Sequence, residues 1–222
     1  MTRVQLLDYL ADRIANVERP HPVRVAIDGV DAAGKTTLAD ELAQPLRARD
    51  RPVIRASVDS FHNPRVLRYR RGPDSPEGYF YDSYDYATLK TLLLDPLGPG
   101  GDLHYQTTLF DWRTDSPAPY SWHHAHPTSI LLFDGIFLLR PELENCWDFR
   151  IFLQVTFDTA LQRSIQRDTA PSGTPEAVRD RYERRYRPGQ QLYLHACRPA
   201  EHATIVVDNN DPLHPRIVSP LP

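Results

Sequence analysis

Eight consecutive residues carry the plainest chemistry of the chain: Gly29-Val30-Asp31-Ala32-Ala33-Gly34-Lys35-Thr36. Glycines at the two ends of the turn let the backbone bend so that successive N–H groups face one point. A lysine and a hydroxyl residue then follow where an apolar strand gives way to a helical pattern, which is the full phosphate-loop spacing. Lys35 is expected to reach the β- and γ-phosphates of a nucleotide, and the Thr36 hydroxyl to bind Mg²⁺. Gly29, Ala32, Ala33, Gly34, Lys35, Thr36 and Thr37 are the expected cofactor contacts, with the positive end of the following helix behind them. The chain has 24 Arg but only two Lys, Lys35 and Lys90. A lysine kept inside this turn is therefore used where a guanidinium would not serve.

Other candidates lie farther along. Asp134 follows the apolar run Ile130-Leu131-Leu132-Phe133, where a carboxylate leaving a parallel strand stands near a bound metal. Taken alone, Asp134-Gly135 is also a turn signature. Arg163 and Arg167, one helical turn apart, present two guanidinium groups on one face, either to close over a γ-phosphate or as a solvated face. Arg65, Arg68, Arg70 and Arg71 crowd one segment. They suit an anionic acceptor, or else pair with Asp74 and Glu77. His123-His124-Ala125-His126 lacks partners at metal-ligand spacing and reads as a loop run.

The elements that must position these residues follow from periodicity. Apolar residues at helical spacing predict helices over 3–17, 36–48, 87–94, 158–168 and 175–194. Continuous apolar runs predict buried strands over 23–28, 52–58, 129–133, 149–155 and 204–207, with a short strand or hairpin in 103–110. Residues 63–84, rich in Arg, Tyr, Pro and Gly, read as a long functional loop without regular structure. The tail from Asp208 reads as Pro-rich surface chain. The expected fold is α/β: a parallel sheet of about five strands, helices on both faces, in one domain over 1–222. Within it lie a substrate flap (about 60–84), a second loop (about 111–127) and an Arg-bearing lid (about 163–187).

Composition narrows the class. Hydrophobic residues at 41% and charged residues at 25% are ordinary for a globular chain, and a net charge of −3 gives no basic footprint for nucleic acid or anionic lipid. No apolar run approaches the roughly 20 residues of a membrane span. Asp8, Asp12 and Arg13 interrupt the N-terminal apolar pattern, so a cytoplasmic protein with Cys146 and Cys197 as reduced thiols is expected.

With these motifs in place, the chain resembles the uridine kinase and phosphoribulokinase group of P-loop kinases over about residues 22–208. The resemblance rests on an ordered series: the phosphate loop, Asp59-Ser60-Phe61-His62, Tyr81-Asp82-Ser83-Tyr84-Asp85, Phe110-Asp111-Trp112, Phe133-Asp134-Gly135-Ile136, and Arg163 to Asp168. It implies Asp59 as the base that takes the acceptor hydroxyl's proton, with Thr36, Asp59 and Asp134 about the metal. It implies Asp82 as the acid on the ribose hydroxyls, and Arg163 and Arg167 as lid arginines. Tyr81, Phe110 and Asp115 are the implied acceptor-pocket positions; Asp115 stands where the family places a His after the Tyr-Asp-Phe segment. The loop Asp208 to Pro212 resembles the one that borders adenine. Tyr79, Phe80, Tyr84 and Tyr86 serve either as base-stacking platforms or as packing.

The resemblance and the residues together lead to an ATP- and Mg²⁺-dependent kinase. Its small-molecule substrate is expected to offer a primary hydroxyl, such as the 5′-OH of uridine or cytidine. Two alternatives stay open. One is a non-nucleoside acceptor (a sugar phosphate, a pantothenate-like acid or a specialised metabolite); the other is a nucleotide-binding regulator with slow ATP hydrolysis. No nucleic-acid or membrane partner is expected, and the oligomeric state, homo-oligomer included, is left open.

Overall fold

The computed structural model describes residues 1–119 and 121–219. Helix α1 (Arg3–Ala15) opens on a capping box between Thr2 and Gln5. Strand β1 (Val23–Gly29) leads through the phosphate loop into α2 (Lys35–Arg47), and β2 (Val53–Ser57) ends in a 3₁₀ turn, Val58–Phe61. The flap follows. It contains α3 (Arg65–Arg68) and α4 (Pro76–Asp82), so it is more regular than its composition predicts. Ser75 caps α4 by accepting the Gly78 N–H, and Pro76 sits at the first helical position, where its missing N–H costs nothing. Helix α5 (Tyr86–Leu89) continues as a π-helical turn to Leu94.

The predicted strand or hairpin in 103–110 resolves into two small ribbons. In them β3 (His104–Tyr105) and β4 (Phe110–Asp111) pair with β6 (His123–His124) and β5 (Ser116–Pro117), respectively. Strands β7 (Ile130–Asp134) and β8 (Phe149–Gln154) return to the main sheet. Helix α6 (Phe157–Ser172), α7 (Pro175–Arg181), a π turn and α8 (Arg187–Cys197) then run almost without a break into α9 (Pro199–His202). Strand β9 (Ile205–Asp208) follows, and the tail turns back as β10 (Arg216–Ser219). Part of the segment expected as plain surface chain is thus an antiparallel edge strand; Pro220 to Pro222 lie outside the described residues.

Among the described residues the main sheet has six strands in the order β10-β9-β8-β1-β7-β2, and the five from β9 to the β2 edge run parallel as the sequence predicts. From β1 the chain moves first to β2 and β7 on one side, then to β8 and β9 on the other. The strand order therefore reverses at the carboxyl end of β1, the place where open α/β sheets bind ligands. Alternation splits the core. Val25, Ile27 and Leu132 pack with Leu6, Leu10, Leu38 and Leu42 of α1 and α2, whereas Ala26, Leu131 and Phe133 pack with Tyr79, Phe80, Phe137 and Tyr193. Both faces are covered, which is why these strands read as unbroken apolar runs. Among the described residues no helix is long and apolar enough to cross a membrane.

Candidate active site

The phosphate loop is forced into shape by its surroundings. Gly29 has φ +155°, and a Cβ there would lie 2.6 Å from the Leu153 carbonyl oxygen of β8. Gly34 has φ +93°, and a Cβ would stand 2.9 Å from Asn209 Nδ2. Only glycine fits either position. Carbonyls of the loop are already engaged. Val30 O accepts from Ala33 N (3.2 Å) and from Lys35 Nζ (2.8 Å); Ala33 O accepts from Asn209 Nδ2 (2.7 Å). Helix α2 begins with no side-chain cap. Its first-turn amides and the helix dipole therefore point into the cradle, and this donor set fits phosphate oxygens.

Beneath the loop, Thr36 Oγ1 donates to Asp134 Oδ2 at 2.6 Å, joining two of the three expected metal ligands. Register brings them together, since Asp134 ends β7 opposite Ile27 of β1 and Ser57 of β2. The other Asp134 oxygen accepts from Arg55 Nη2 (2.9 Å), so this buried carboxylate keeps a counter-charge. A hydroxyl beside a carboxylate suits a hard divalent cation such as Mg²⁺. Asp59 approaches from the neighbouring 3₁₀ turn. Gly135, right after Asp134, abuts Val58, right before Asp59: a Cβ on Gly135 would lie 2.4 Å from Val58 Cγ1. The absent side chain is what lets the two acidic segments meet. Asp59 is exposed, and the Tyr84 hydroxyl reaches its carboxylate at 3.4 Å. His62 Nδ1 lies 2.9 Å from Asp59 O, and the ring stands between Tyr84 and Trp112 at centroid distances of 4.5 and 5.9 Å. Burial pushes the His62 pKa down, against the pull of Asp59.

The two lid arginines part company. Arg163 donates to Asn209 O (2.9 Å), Asn210 O (3.0 Å) and Ala32 O (3.4 Å), so it braces the loop after β9 against the cradle's outer side. Arg167 pairs with Asp168 at 2.7 Å. That bond raises its pKa, helped by the charges of Asp31 and Asp59.

Acceptor-side residues are tied up among themselves. Asp82 is buried and is held by Arg70 Nη2 and by Arg71 Nε (2.8 Å), with the Arg70 hydrogen bond the main cause of its lowered pKa. Asp115, at φ +53°, accepts the Arg65 N–H (2.8 Å) and the Arg68 guanidinium (3.0 Å). The flap arginines thus pair with Asp82 and Asp115, where the sequence suggests Asp74 and Glu77. Tyr81 is exposed against Phe80 and the Arg71 guanidinium. Phe110 is buried in its ribbon, and the neighbouring Leu109 N–H donates to Ser60 O (2.9 Å), docking the second loop on the Asp59 turn. Tyr79, Phe80 and Tyr84 are packing residues rather than open platforms. Arg185 is buried and gathers the carbonyls of Arg68, Gly72, Pro73 and Ser75.

Two acids escaped the sequence reading. Asp28, fully buried, accepts from Gly29 N (2.6 Å), Leu138 N (3.2 Å), Leu139 N (3.0 Å) and the Tyr193 hydroxyl. Its pKa rises to about 6 because burial outweighs those donors and Lys35. An acid inside an apolar strand was the available signal. Asp31, within the loop itself, accepts from the Tyr79 hydroxyl (2.8 Å) and Gln190 Nε2 (3.1 Å).

A phosphate loop at the switch point of a parallel sheet, with a hydroxyl–carboxylate pair under it, defines a P-loop nucleotide-binding fold. The model of the phosphoribulokinase / uridine kinase family matches residues 25–210, and the chain belongs to that family of phosphotransferases acting on a hydroxyl group. It is 27% identical over 189 residues to uridine-cytidine kinase B of Dictyostelium discoideum, covering 84% of this chain and 74% of that one. Against uridine kinase-like protein 3 of Arabidopsis thaliana it is 25% identical over 182 residues, covering 80% of this chain but only 37% of the plant protein. The fold matches a Bacillus stearothermophilus structure titled a possible uridine kinase at TM-score 0.73 and 22% identity, covering 91% of this chain and 97% of that one.

Proposed function

We propose that the protein is an ATP- and Mg²⁺-dependent kinase that phosphorylates a primary hydroxyl of a nucleoside. The observation that carries this reading is the convergence of Lys35, the Thr36–Asp134 pair and Asp59 on one end of β1. ATP with Mg²⁺, when bound, supplies the γ-phosphoryl group and the positive charge set against its oxygens. The chain supplies the rest. The loop amides and Lys35 hold the phosphates, and Thr36 and Asp134 hold the metal, with Asp59 beside them. Asp59 also orients the acceptor hydroxyl and takes its proton late in the transfer. Arg167 adds a guanidinium from the side of α6; Arg163 acts through the loop it braces. Asp82 is the group for the ribose hydroxyls, and Tyr81, Phe110 and Asp115 border the acceptor. The nucleoside acceptor is supported by the family and by the likeness to uridine-cytidine kinase B.

A non-nucleoside acceptor is the second reading. It is favoured by the guanidinium groups that cover both Asp82 and Asp115, the two carboxylates a nucleoside would be expected to meet. Mass spectrometry of products from ATP, Mg²⁺ and a panel of nucleosides, sugar phosphates and hydroxy acids separates the two. A nucleoside monophosphate supports the first reading. Phosphorylation confined to an anionic acceptor supports the second, and ATP turnover indifferent to every acceptor refutes both.

A further inference from the structure

The third residue of the phosphate loop is joined to the acceptor flap by side chains the transfer itself does not use. Asp31 Oδ2 accepts from the Tyr79 hydroxyl of α4 (2.8 Å) and from Gln190 Nε2 of α8 (3.1 Å). Gln190 is fully buried and returns its Oε1 to the Asp31 N–H at 2.9 Å. The two helices meet at the next residue back, Gly189, where a Cβ would lie 2.8 Å from Tyr79 Cδ1 and 2.9 Å from Pro76 O. The Tyr79 ring is wedged against Phe137 and Tyr186 at centroid distances of 5.2 and 4.9 Å, so its hydroxyl has little freedom to seek another partner.

One peptide unit then connects this junction to the donor chemistry. The plane between Val30 and Asp31 carries a carbonyl that holds the Lys35 ammonium (2.8 Å) and an N–H held by Gln190. A peptide plane is rigid, so a pull on one end reorients the other. Phosphates in the cradle compete with Val30 O for the Lys35 ammonium. The Val30–Asp31 plane, and with it the Gln190 and Tyr79 hydrogen bonds, must respond. Asp31 lies close enough to Lys35, Arg167 and Asp59 for each to act on its carboxyl, and burial raises its pKa against the two cations.

We propose that Asp31 is a positioning residue which transmits occupancy of the phosphate loop to flap helix α4, so that donor and acceptor sides settle together. The inference rests on nucleotide binding by the loop, and the test separates the two claims. Hydrogen exchange of the 77–82 amides is measured on the full chain without and with saturating AMPPNP and Mg²⁺, saturation being verified by calorimetry. In the wild type, nucleotide is expected to slow this exchange by on the order of tenfold, within the usual range of coupling between sites.

Tyr79→Phe keeps the ring and removes only the hydroxyl; it is expected to bind nucleotide and lose the slowing. Asp31→Ala should lose it too. Asp31→Asn should retain it, because one amide oxygen in the place of Oδ2 can accept from both Tyr79 and Gln190. A merely structural role would raise exchange equally with and without nucleotide and leave the ratio unchanged. The proposal is overturned if the wild-type flap ignores nucleotide, or if Tyr79→Phe keeps the full effect. Absence of calorimetric binding in the wild type would instead refute the donor-site reading and carry this one down with it.

Discussion

Replacing Asp28 by Asn removes the carboxylate buried near the carboxyl end of β1 and leaves a group of the same shape. The carboxylate is at 0% exposure, one oxygen accepting from Gly29 N and the other from Leu138 N, Leu139 N and the Tyr193 hydroxyl. Its pKa stands at about 6 in the folded chain against 3.8. A raised acid binds its proton more tightly folded than unfolded. Its contribution to stability is therefore complete below 3.8 and is lost as pH rises through about 6. Integrated from about pH 4.5 to about pH 7.5, that loss is about 2 kcal/mol. The Asn variant has nothing there to titrate, and its amide nitrogen meets the Gly29 N–H donor to donor, which costs about 1–3 kcal/mol.

Urea unfolding of both proteins across this window cancels every other titration. The wild-type advantage is expected to shrink by about 2 kcal/mol from the acid to the neutral end. With m of about 2–3 kcal/mol per M for a chain of this size, the gap between midpoints moves by on the order of 1 M. A gap that stays constant or widens with pH would mean that the four donors outweigh burial, and the argument would be wrong.

Three further substitutions probe the site. Lys35→Ala is expected to lower turnover by on the order of 100-fold, the usual worth of one preorganised donor to the transferring group; full activity in steady-state assays would refute its role. Gly135→Ala places a methyl 2.4 Å from Val58 Cγ1 and must push the Asp59 turn away from Asp134. Thermal unfolding should report a loss of about 1–3 kcal/mol from overpacking, with turnover falling further than the stability loss explains. Removing Arg70 and Arg71 together strips Asp82 of both guanidinium partners. KM for uridine should then hold steady or fall, whereas a tenfold or larger rise (about 1.4 kcal/mol) for the acceptor found by screening would show that these arginines bind an anionic substrate.

The donor half of this site was legible because its chemistry is local in sequence. Gly29 to Thr36 are contiguous, and Asp134 announces itself by ending an apolar run; the strand register that joins Asp134 to Thr36 follows once both strands are parallel neighbours of one sheet. The helices and the five parallel strands were legible for the same reason, since their patterns are periodic over short windows. What was not legible depends on distant pairing. Tyr193 answers Asp28 across 165 positions, Gln190 answers Asp31 across 159, and Arg185 gathers flap carbonyls more than 100 residues away. No window of sequence records such a partner. Composition also misled where capping governs: Ser75 and Pro76 start a helix in a segment whose Arg, Gly and Pro content suggests loop. β10 shows the same limit, because an edge strand of four residues exists only when β9 is there to pair with it.

The charge arrangement of the flap bears on specificity as well as on folding. Arg70 and Arg71 are about half exposed, while the Asp82 carboxylate they hold is buried. Water-facing guanidinium groups lose little when they swing away, but a buried carboxylate left without donors loses a great deal. An acceptor that takes Asp82 must therefore bring its own donors, and a vicinal diol offers two in the right number. An anionic acceptor has the opposite requirement, since it would leave Asp82 in place and draw the exposed guanidinium groups outward. The same three residues can serve either substrate, and the choice turns on which partner of the ion pair is exchanged. The KM response to loss of Arg70 and Arg71 measures that choice directly. A resemblance in the phosphate loop does not reach it, because none of those groups touches the loop.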